Sequence, residues 1–396
     1  MSPLNIVSLS HSDDFDGIGS QAILHRYFVE LKKPIPERFG DFSDKEVRIH
    51  FFQADYQDYL FYWAAIIAGF KTKNSINPED FSLELRSTTL KLHNASDMDE
   101  LRRKFKTTGD VARNRIYLSE EIWKNMDLLI LSDIGYNKTF KPLFRMLEEL
   151  NIPIVYFDHH EHDEDTTRFL SKYCRVYEIN EALCTTQLVH RFFLLGDKTS
   201  KFIGDLGADT DFEKYEMRTS KEIMSLISYY RKNPCMLHKI IENYSLGINL
   251  DSYLKQEYNT INKWETEAAK RMLDSIREIP LFINEKKHVR VFLGISSLRS
   301  GRSMKHLYTA VKNGMFSGKP GETILLLTID EQSLNTNIKS DHVDVHKIAE
   351  HFGGGGHKKR AGFRFPSIHV KNGEITHITL DDLRLEEFLE EFKKFL

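Results

Sequence analysis

Three short stretches of this 396-residue chain carry residues that could do chemistry together. "HSDDFDGIGS" supplies His11, Asp14 and Asp16 after an apolar run, "LSDIGYN" supplies Asp133, and "YFDHHEHD" supplies Asp158, His159 and His160. Carboxylates with occasional imidazole suit hard divalent ions such as Mn²⁺ or Mg²⁺, whereas a structural zinc site would favour thiolates. Two such ions roughly 3.5 to 4 Å apart make hydroxide from a bridging water and neutralise the charge of an in-line phosphoryl displacement. Read as an extended segment, the Asp14/Asp16 pair would point to one side and hold one ion each, with Asp133 as the bridge. Each residue taken singly has a plainer explanation, since Asp caps helices and a lone His is more often structural. Coincidence on three segments is harder to explain that way.

Such residues need strand ends to place them, and the sequence has candidates. "NIVSLS", "VRIHFFQA", "MDLLILSD", "IPIVYFDHH" and "CRVYEIN" read as strands, separated by helical patterns such as "KPLFRMLEEL" and "TTQLVHRFFLL". That alternation predicts an α/β fold with βαβ units around a parallel sheet, and ligands of open α/β sheets bind outside the carboxyl ends of the strands. The chemistry-bearing residues all fall at those ends. Residues 71–126 break the rhythm and are expected to form a largely helical insert, in which "RRKFKTTGDVARNR" carries six basic residues against Asp110. Residues 211–280 read as a helical linker stopped by Pro280. "HVRVFLGIS" and "ETILLLTID" then open a smaller α/β domain over 281–396, leaving 1–210 as the metal-binding domain.

Composition agrees with two domains and excludes other classes. The length is too great for a comfortable single core. No run approaches the roughly 18 apolar residues of a membrane span, and the start lacks a signal-peptide pattern, so a cytoplasmic protein with no membrane partner is expected. Cys174, Cys184 and Cys235 form an odd set without CxxC spacing, against a disulfide framework. Net charge is −3, but 286–364 holds fourteen basic and six acidic residues, +8, leaving −11 elsewhere. One basic lobe and one acidic lobe suit a phosphate-bearing partner.

The three stretches, in this order, resemble motifs one to three of the DHH family of phosphoesterases, and "GGGGHKKRAGF" resembles the signature of that family's C-terminal substrate-binding domain of DHHA1 type. The resemblance spans nearly the whole chain except the insert and much of the linker. By similarity, His11 and Asp14 bind a first metal, Asp16 and His159 a second, and Asp133 bridges. Asp158 would orient the His159 imidazole, and His160 would face the phosphate or leaving group. A fourth motif falls in "IGDLGADTDFE", which offers Asp205, Asp209 and Asp211; the family pattern favours Asp209 as the ligand and leaves Asp205 open.

In the C-terminal domain the resemblance assigns substrate phosphate to Lys339, Ser340, Gly353, Gly354, Gly355, Gly356 and His357, the bare glycine backbone offering N–H groups to an anion. Lys339 stands where relatives carry a fork-shaped arginine, a departure that bears on substrate preference. The implied activity is hydrolysis of short oligonucleotides, nanoRNA or linear dinucleotides, RNA or DNA, with two Mn²⁺ ions, or Mg²⁺, and a homodimer as the candidate assembly. The alternatives are a cyclic-dinucleotide phosphodiesterase, a RecJ-like exonuclease and a 3'-phosphoadenosine 5'-phosphate phosphatase. A catalytically silent nucleotide-binding protein is the reading from another class.

Overall fold

The computed structural model describes residues 3–42, 45–54, 62, 63, 65, 66, 82–85, 88–91, 119–136, 140–212, 214–284, 287–315, 322–331, 334–365 and 385–395. The chain is α/β and divides into two compact units, Met1–Asn259 and Thr260–Leu396. Among the described residues no helix is long and apolar enough to cross a membrane.

The first unit is built on strands β1 (Leu4–His11), β2 (Val47–Ala54), β5 (Leu128–Ser132), β6 (Ile154–Asp158) and β7 (Val176–Ile179), while β3 (Ser82–Leu85) and β4 (Thr88–Lys91) pair separately as an antiparallel hairpin. The five-stranded sheet has the order β2-β1-β5-β6-β7 and is parallel throughout. β5 and β6 are buried along their whole lengths, as central strands covered on both faces must be. The order reverses between β1 and β5, and at such a switch point the two connections leave in opposite directions and open a crevice at the carboxyl ends. Register puts Ser10 beside Ser132 and Ser132 beside Phe157, so His11, Asp133 and Asp158 emerge at one level.

Helices of this unit are α1 (Phe15–His25), α2 (Glu120–Lys124), α3 (Lys141–Glu149), α4 (Glu164–Tyr173), α5 (Thr185–Phe193), α6 (Lys198–Asp211), α7 (Arg218–Tyr230) and α8 (Pro234–Ser245); α9 (Ser252–Asp274) runs across the division. On one face of the sheet Val7, Leu9, Leu129, Leu131 and Tyr156 pack against Trp63, Trp123, Phe140 and Phe144 in one buried cluster. On α1, buried Gln21 donates to the Ser8 and Phe52 carbonyls and accepts from Gln53, which pins the helix to β1 and β2. The helical insert expected over 71–126 lies largely outside the described residues, and the described part there is the hairpin and the segment with α2.

The second unit holds a mixed six-stranded sheet of order β12-β13-β11-β10-β9-β8, formed by β8 (Arg277–Asn284), β9 (Lys287–Ser296), β10 (Thr323–Asp330), β11 (Asn335–Lys339), β12 (Gly355–His357) and β13 (Arg360–Arg364). Its helices are α10 (Ser300–Lys312), α11 (Val345–His351) and α12 (Leu385–Lys393). Pro280 does not stop a helix: the helix ends at Asp274, and Pro280 lies within β8 opposite Arg290. An edge strand tolerates the missing N–H, which is why proline fits there.

Candidate metal centre

The edge above β1, β5 and β6 gathers the carboxylates and imidazoles into overlapping groups. His11, Asp14 and Asp133 each offer a ligand atom within 4.8 Å of the others, and so do Asp16, His159 and Asp211. Asp133, His159 and His160 form a third such group that shares members with both. Within them His11 Nδ1 lies 3.3 Å from Asp14 Oδ2 and 3.8 Å from Asp133 Oδ2, and His159 Nε2 lies 3.5 Å from Asp133 Oδ1. Asp133 thus faces both sets.

Local structure explains each placement. β1 ends at His11 and α1 begins at Phe15, so the intervening turn is short and Gly17 must pass close beneath it: a Cβ there would meet the His11 carbonyl oxygen at 2.2 Å. Asp14 caps α1, its Oδ1 accepting from the N–H of Asp16 and Gly17. The extended reading of Asp14 and Asp16 is therefore corrected, because Asp16 already lies in the first helical turn. Its carboxylate reaches the start of α5, where Thr185 N and Thr186 N donate to its two oxygens at 2.7 Å and Thr186 Oγ1 donates at 2.6 Å. Three donors fix this completely buried carboxylate in place. Gly207 makes room, since a Cβ there would sit 2.8 Å from Thr186 Oγ1. Asp133 has φ of 58°, in the left-handed region that side chains avoid, so the turn after β5 holds an unfavourable backbone conformation at the residue that faces both sets.

Electrostatics follow from crowding. Burial pushes the Asp14 carboxyl up, but His11 and the two N–H donors outweigh it and bring the group down to about 2. Asp133 is driven well above the ordinary carboxylate range by burial and by its neighbours Asp14, Asp16, Asp158 and Asp211. Asp211 rises to about 6 through burial and Asp16. Carboxylates that raise one another in this way call for a cation, and Asp133 Oδ2 is buried and accepts no hydrogen bond. The donor set fits divalent ions: carboxylate-rich, with imidazole and no thiolate.

Two expectations are corrected here. Asp209 does not join the group, because two residues along α6 turn the side chain through about 200°. Its oxygens accept from Glu216 N and Met217 N at 3.0 Å and from the Ser220 hydroxyl, fixing the start of α7. Asp205 is exposed and paired with Lys201 at 2.6 Å, so the fourth-motif residue at the cluster is Asp211, its Oδ2 3.6 Å from His159 Nδ1. Asp158, in turn, does not orient the His159 ring. Buried in β6, it holds His160 Nδ1 at 2.7 Å and stands 3.2 Å from His162 Nε2, while His159 meets it only through the backbone N–H. Burial lowers the His160 pKa, yet Asp158 overcomes this and raises it. The positioning roles of Thr185, Thr186 and His162 were missed in the sequence; adjacent threonines opening a helix were the available signal.

In the second unit Lys339 pairs with Arg360, and Arg360 with His357, so three basic positions line up across β11, β13 and β12. Lys339 Nζ lies 3.8 Å from the centroid of Tyr308. Ser340, offered above as a phosphate donor, is buried with its hydroxyl donating to Ile324 O and accepting from His342 N and Val343 N, so it holds a turn instead. Gly353 takes φ of 74°, and a Cβ on Gly354 would strike the Gly362 carbonyl at 2.0 Å. Gly356, at φ 139°, would bring one 2.6 Å from Ala361. A Cβ on Gly355 would meet nothing within 4 Å, and the side chain of His357 lies outside the described residues.

Comparison with known proteins decides the assignment, for residues 5–227 match the DHH family, N-terminal domain. The chain belongs to the DHH family. It is accordingly a metal-dependent phosphoesterase. A solved DHH domain described as a member of the s1p family of ribosomal proteins aligns with a TM-score of 0.52 at 13% identity, over 100% of this chain and 87% of its own, and shares the fold. Exonuclease RecJ bound to manganese aligns at 0.45 and 12% identity, over 99% of this chain and 90% of its own. The pGpG-specific phosphodiesterase PggH from Vibrio cholerae aligns at 0.43 and 11%, over 99% and 100%. No curated protein matches the chain in sequence.

Proposed function

We propose that this DHH protein is a cytoplasmic phosphodiesterase that cleaves short oligonucleotides, nanoRNA or linear dinucleotides, to mononucleotides with two divalent ions, Mn²⁺ before Mg²⁺. The observation that carries it is that Asp133 faces both sets: it groups with His11 and Asp14, and its Oδ1 stands 3.5 Å from His159 Nε2. His11 and Asp14 with Asp133 would hold one ion, and Asp16, His159 and Asp211 with Asp133 the other. Ions held there supply an activated water and neutralise phosphoryl charge.

The chain's own residues do the rest. Thr185 and Thr186 keep Asp16 from rotating away. Asp158, held far below the ordinary carboxylate range by His160 and His162 against the effect of burial, stays ionised and fixes the His160 ring through Nδ1. That leaves Nε2 of a partly exposed imidazole to donate to a phosphate oxygen or to protonate the leaving oxygen. In residues 281–396, the substrate-binding part of this reading, the row of Lys339, Arg360 and His357 beside the open backbone of Gly355 suits a substrate phosphate. A grip on one phosphate favours short chains over long ones.

Hydrolysis of a labelled RNA ladder from two to ten nucleotides, with Mn²⁺ and with EDTA, tests it. Cyclic dinucleotides and 3'-phosphoadenosine 5'-phosphate serve as competing substrates. The expected result is metal-dependent cleavage, fastest on the shortest linear chains; preferential cleavage of a competing substrate or of the longest RNA would overturn the substrate assignment.

A further inference from the structure

At the other end of α1, about 14 Å along the helix from Asp16, the described residues hold one more group suited to a metal. His25, His238 and Glu242 each offer a ligand atom within 4.8 Å of the others. His25 closes α1, and the chain continues as a five-residue π-helix, Arg26–Glu30, with Leu31 N donating to Arg26 O. The wider turn brings Glu30 back over His25, Oε1 to Nδ1 3.5 Å, a pair that an α-helical turn would place on different faces. On α8 His238 and Glu242 are one α-helical turn apart and meet Nε2 to Oε1 at 3.3 Å. Four ligands bonded tetrahedrally at about 2.0 to 2.1 Å stand about 3.4 Å from one another. Both pairs already have that spacing.

The surroundings also suit an ion. His25 is only 7% exposed, and its Nδ1 is buried without a hydrogen bond. The Phe51 ring walls the site, 5.6 Å from the His25 ring and 6.2 Å from that of His238. Half-exposed Glu242 leaves a way in for an ion. Arg26 anchors the π-turn, bonding both oxygens of Asp197 and the Ser245 carbonyl at the end of α8.

We propose that His25, His238 and Glu242, with Glu30 in the fourth position, form a zinc site that clamps the end of α1 to α8. It is separate from the carboxylate-rich centre. Two imidazoles with carboxylates favour Zn²⁺ over Mn²⁺ or Mg²⁺, and a closed set of four protein ligands makes the ion structural.

The test loads the full chain with Zn²⁺, removes excess and counts metal per chain in the parent, His238→Ala, Glu242→Gln and Asp133→Ala. His238→Ala and Glu242→Gln, both at partly exposed positions, should each lose about one zinc per chain while keeping Mn²⁺-dependent hydrolysis. Zn²⁺ should raise the Tm of Asp133→Ala by about 5 °C or more, and adding His238→Ala to that variant should abolish the shift. Co²⁺ in place of zinc should give the intense visible bands of four-coordinate cobalt, lost in His238→Ala. Equal zinc counts and equal Tm shifts with and without His238 would overturn the site, whatever the outcome on RNA.

Discussion

At the edge of the parallel sheet this chain crowds Asp14, Asp16, Asp133, Asp158 and Asp211 with His11, His159 and His160, whereas at Gly353–Gly356 it removes side chains altogether. Under the proposed function the two regions would handle an anionic substrate by opposite means. At the first, charge is concentrated until only cations can relieve it, and Asp14, Asp16, Asp133 and Asp158 are held by strand ends, a cap or threonine donors. At the second, backbone itself would be the binding surface, and what matters is which atoms a Cβ would displace. Change at the first should therefore act on metal and turnover, and change at the second should divide sharply between folding and affinity.

The largest effects belong to the crowded edge. Asp133→Ala should lower turnover by more than about a hundredfold and reduce Mn²⁺ binding with little change in Tm, measured by hydrolysis, metal titration and thermal melting. Asp211→Asn and Asp209→Asn sharpen the point, being two residues apart on α6. The first should weaken metal binding and leave Tm unchanged or raised, since it removes a charge from a repelling group. The second should keep metal but cost about 1 to 3 kcal/mol of stability, because it disturbs the acceptor that fixes α7. Should Asp209→Asn be the variant that loses metal, the assignment of Asp211 fails.

What could be read from the sequence follows from the same physics. The parallel sheet and its charged ends were legible because β5 and β6 are largely apolar runs, β5 followed by Asp133 and β6 closed by Asp158. Asp209 was favoured over Asp211 because three aspartates within seven residues share one helix, and only the face each presents distinguishes them. Asp158 was assigned to the wrong ring because spacing shows that a carboxylate is near two histidines without showing that its oxygens point to His160 and His162. The His25–Glu30 pair was invisible, since five residues is not a helical repeat until a π-turn makes it one. Pro280 looked like a helix stop, and only pairing places it on an edge strand.

The glycine region offers a smaller but more selective contrast. Gly354→Val should prevent folding of the second unit or destabilise it severely, as its side chain would collide with the Gly362 carbonyl. Gly355→Val has open space and should fold, bind Mn²⁺ normally and raise KM about tenfold with kcat nearly unchanged, since uniform binding is what it removes. Near-UV circular dichroism, melting and steady-state kinetics separate the two. An unchanged KM in Gly355→Val would leave Gly353–Gly356 with a purely structural role.

The smallest expected effect tests whether positions remote from both regions are as inert as the comparison implies. Asp197 caps α6 through Ser200 N and binds Arg26 through both oxygens, far from any reacting group. Burial raises its pKa, but Arg26 and the Ser200 N–H lower it further, so the folded protein prefers the ionised form. The sign follows: the stabilisation is fully present above the ordinary carboxylate value of 3.8 and is lost as pH falls through and below it. Asp197→Ala should cost about 0.5 to 2 kcal/mol at pH 7, the worth of a helix cap with one partly exposed pair, and progressively less in melts taken below pH 4. Turnover should stay within about twofold of the parent. If turnover instead fell as it does for Asp133→Ala, the π-turn that Arg26 anchors would be coupled through α1 to the carboxylate edge, and the two ends of that helix could no longer be treated as separate.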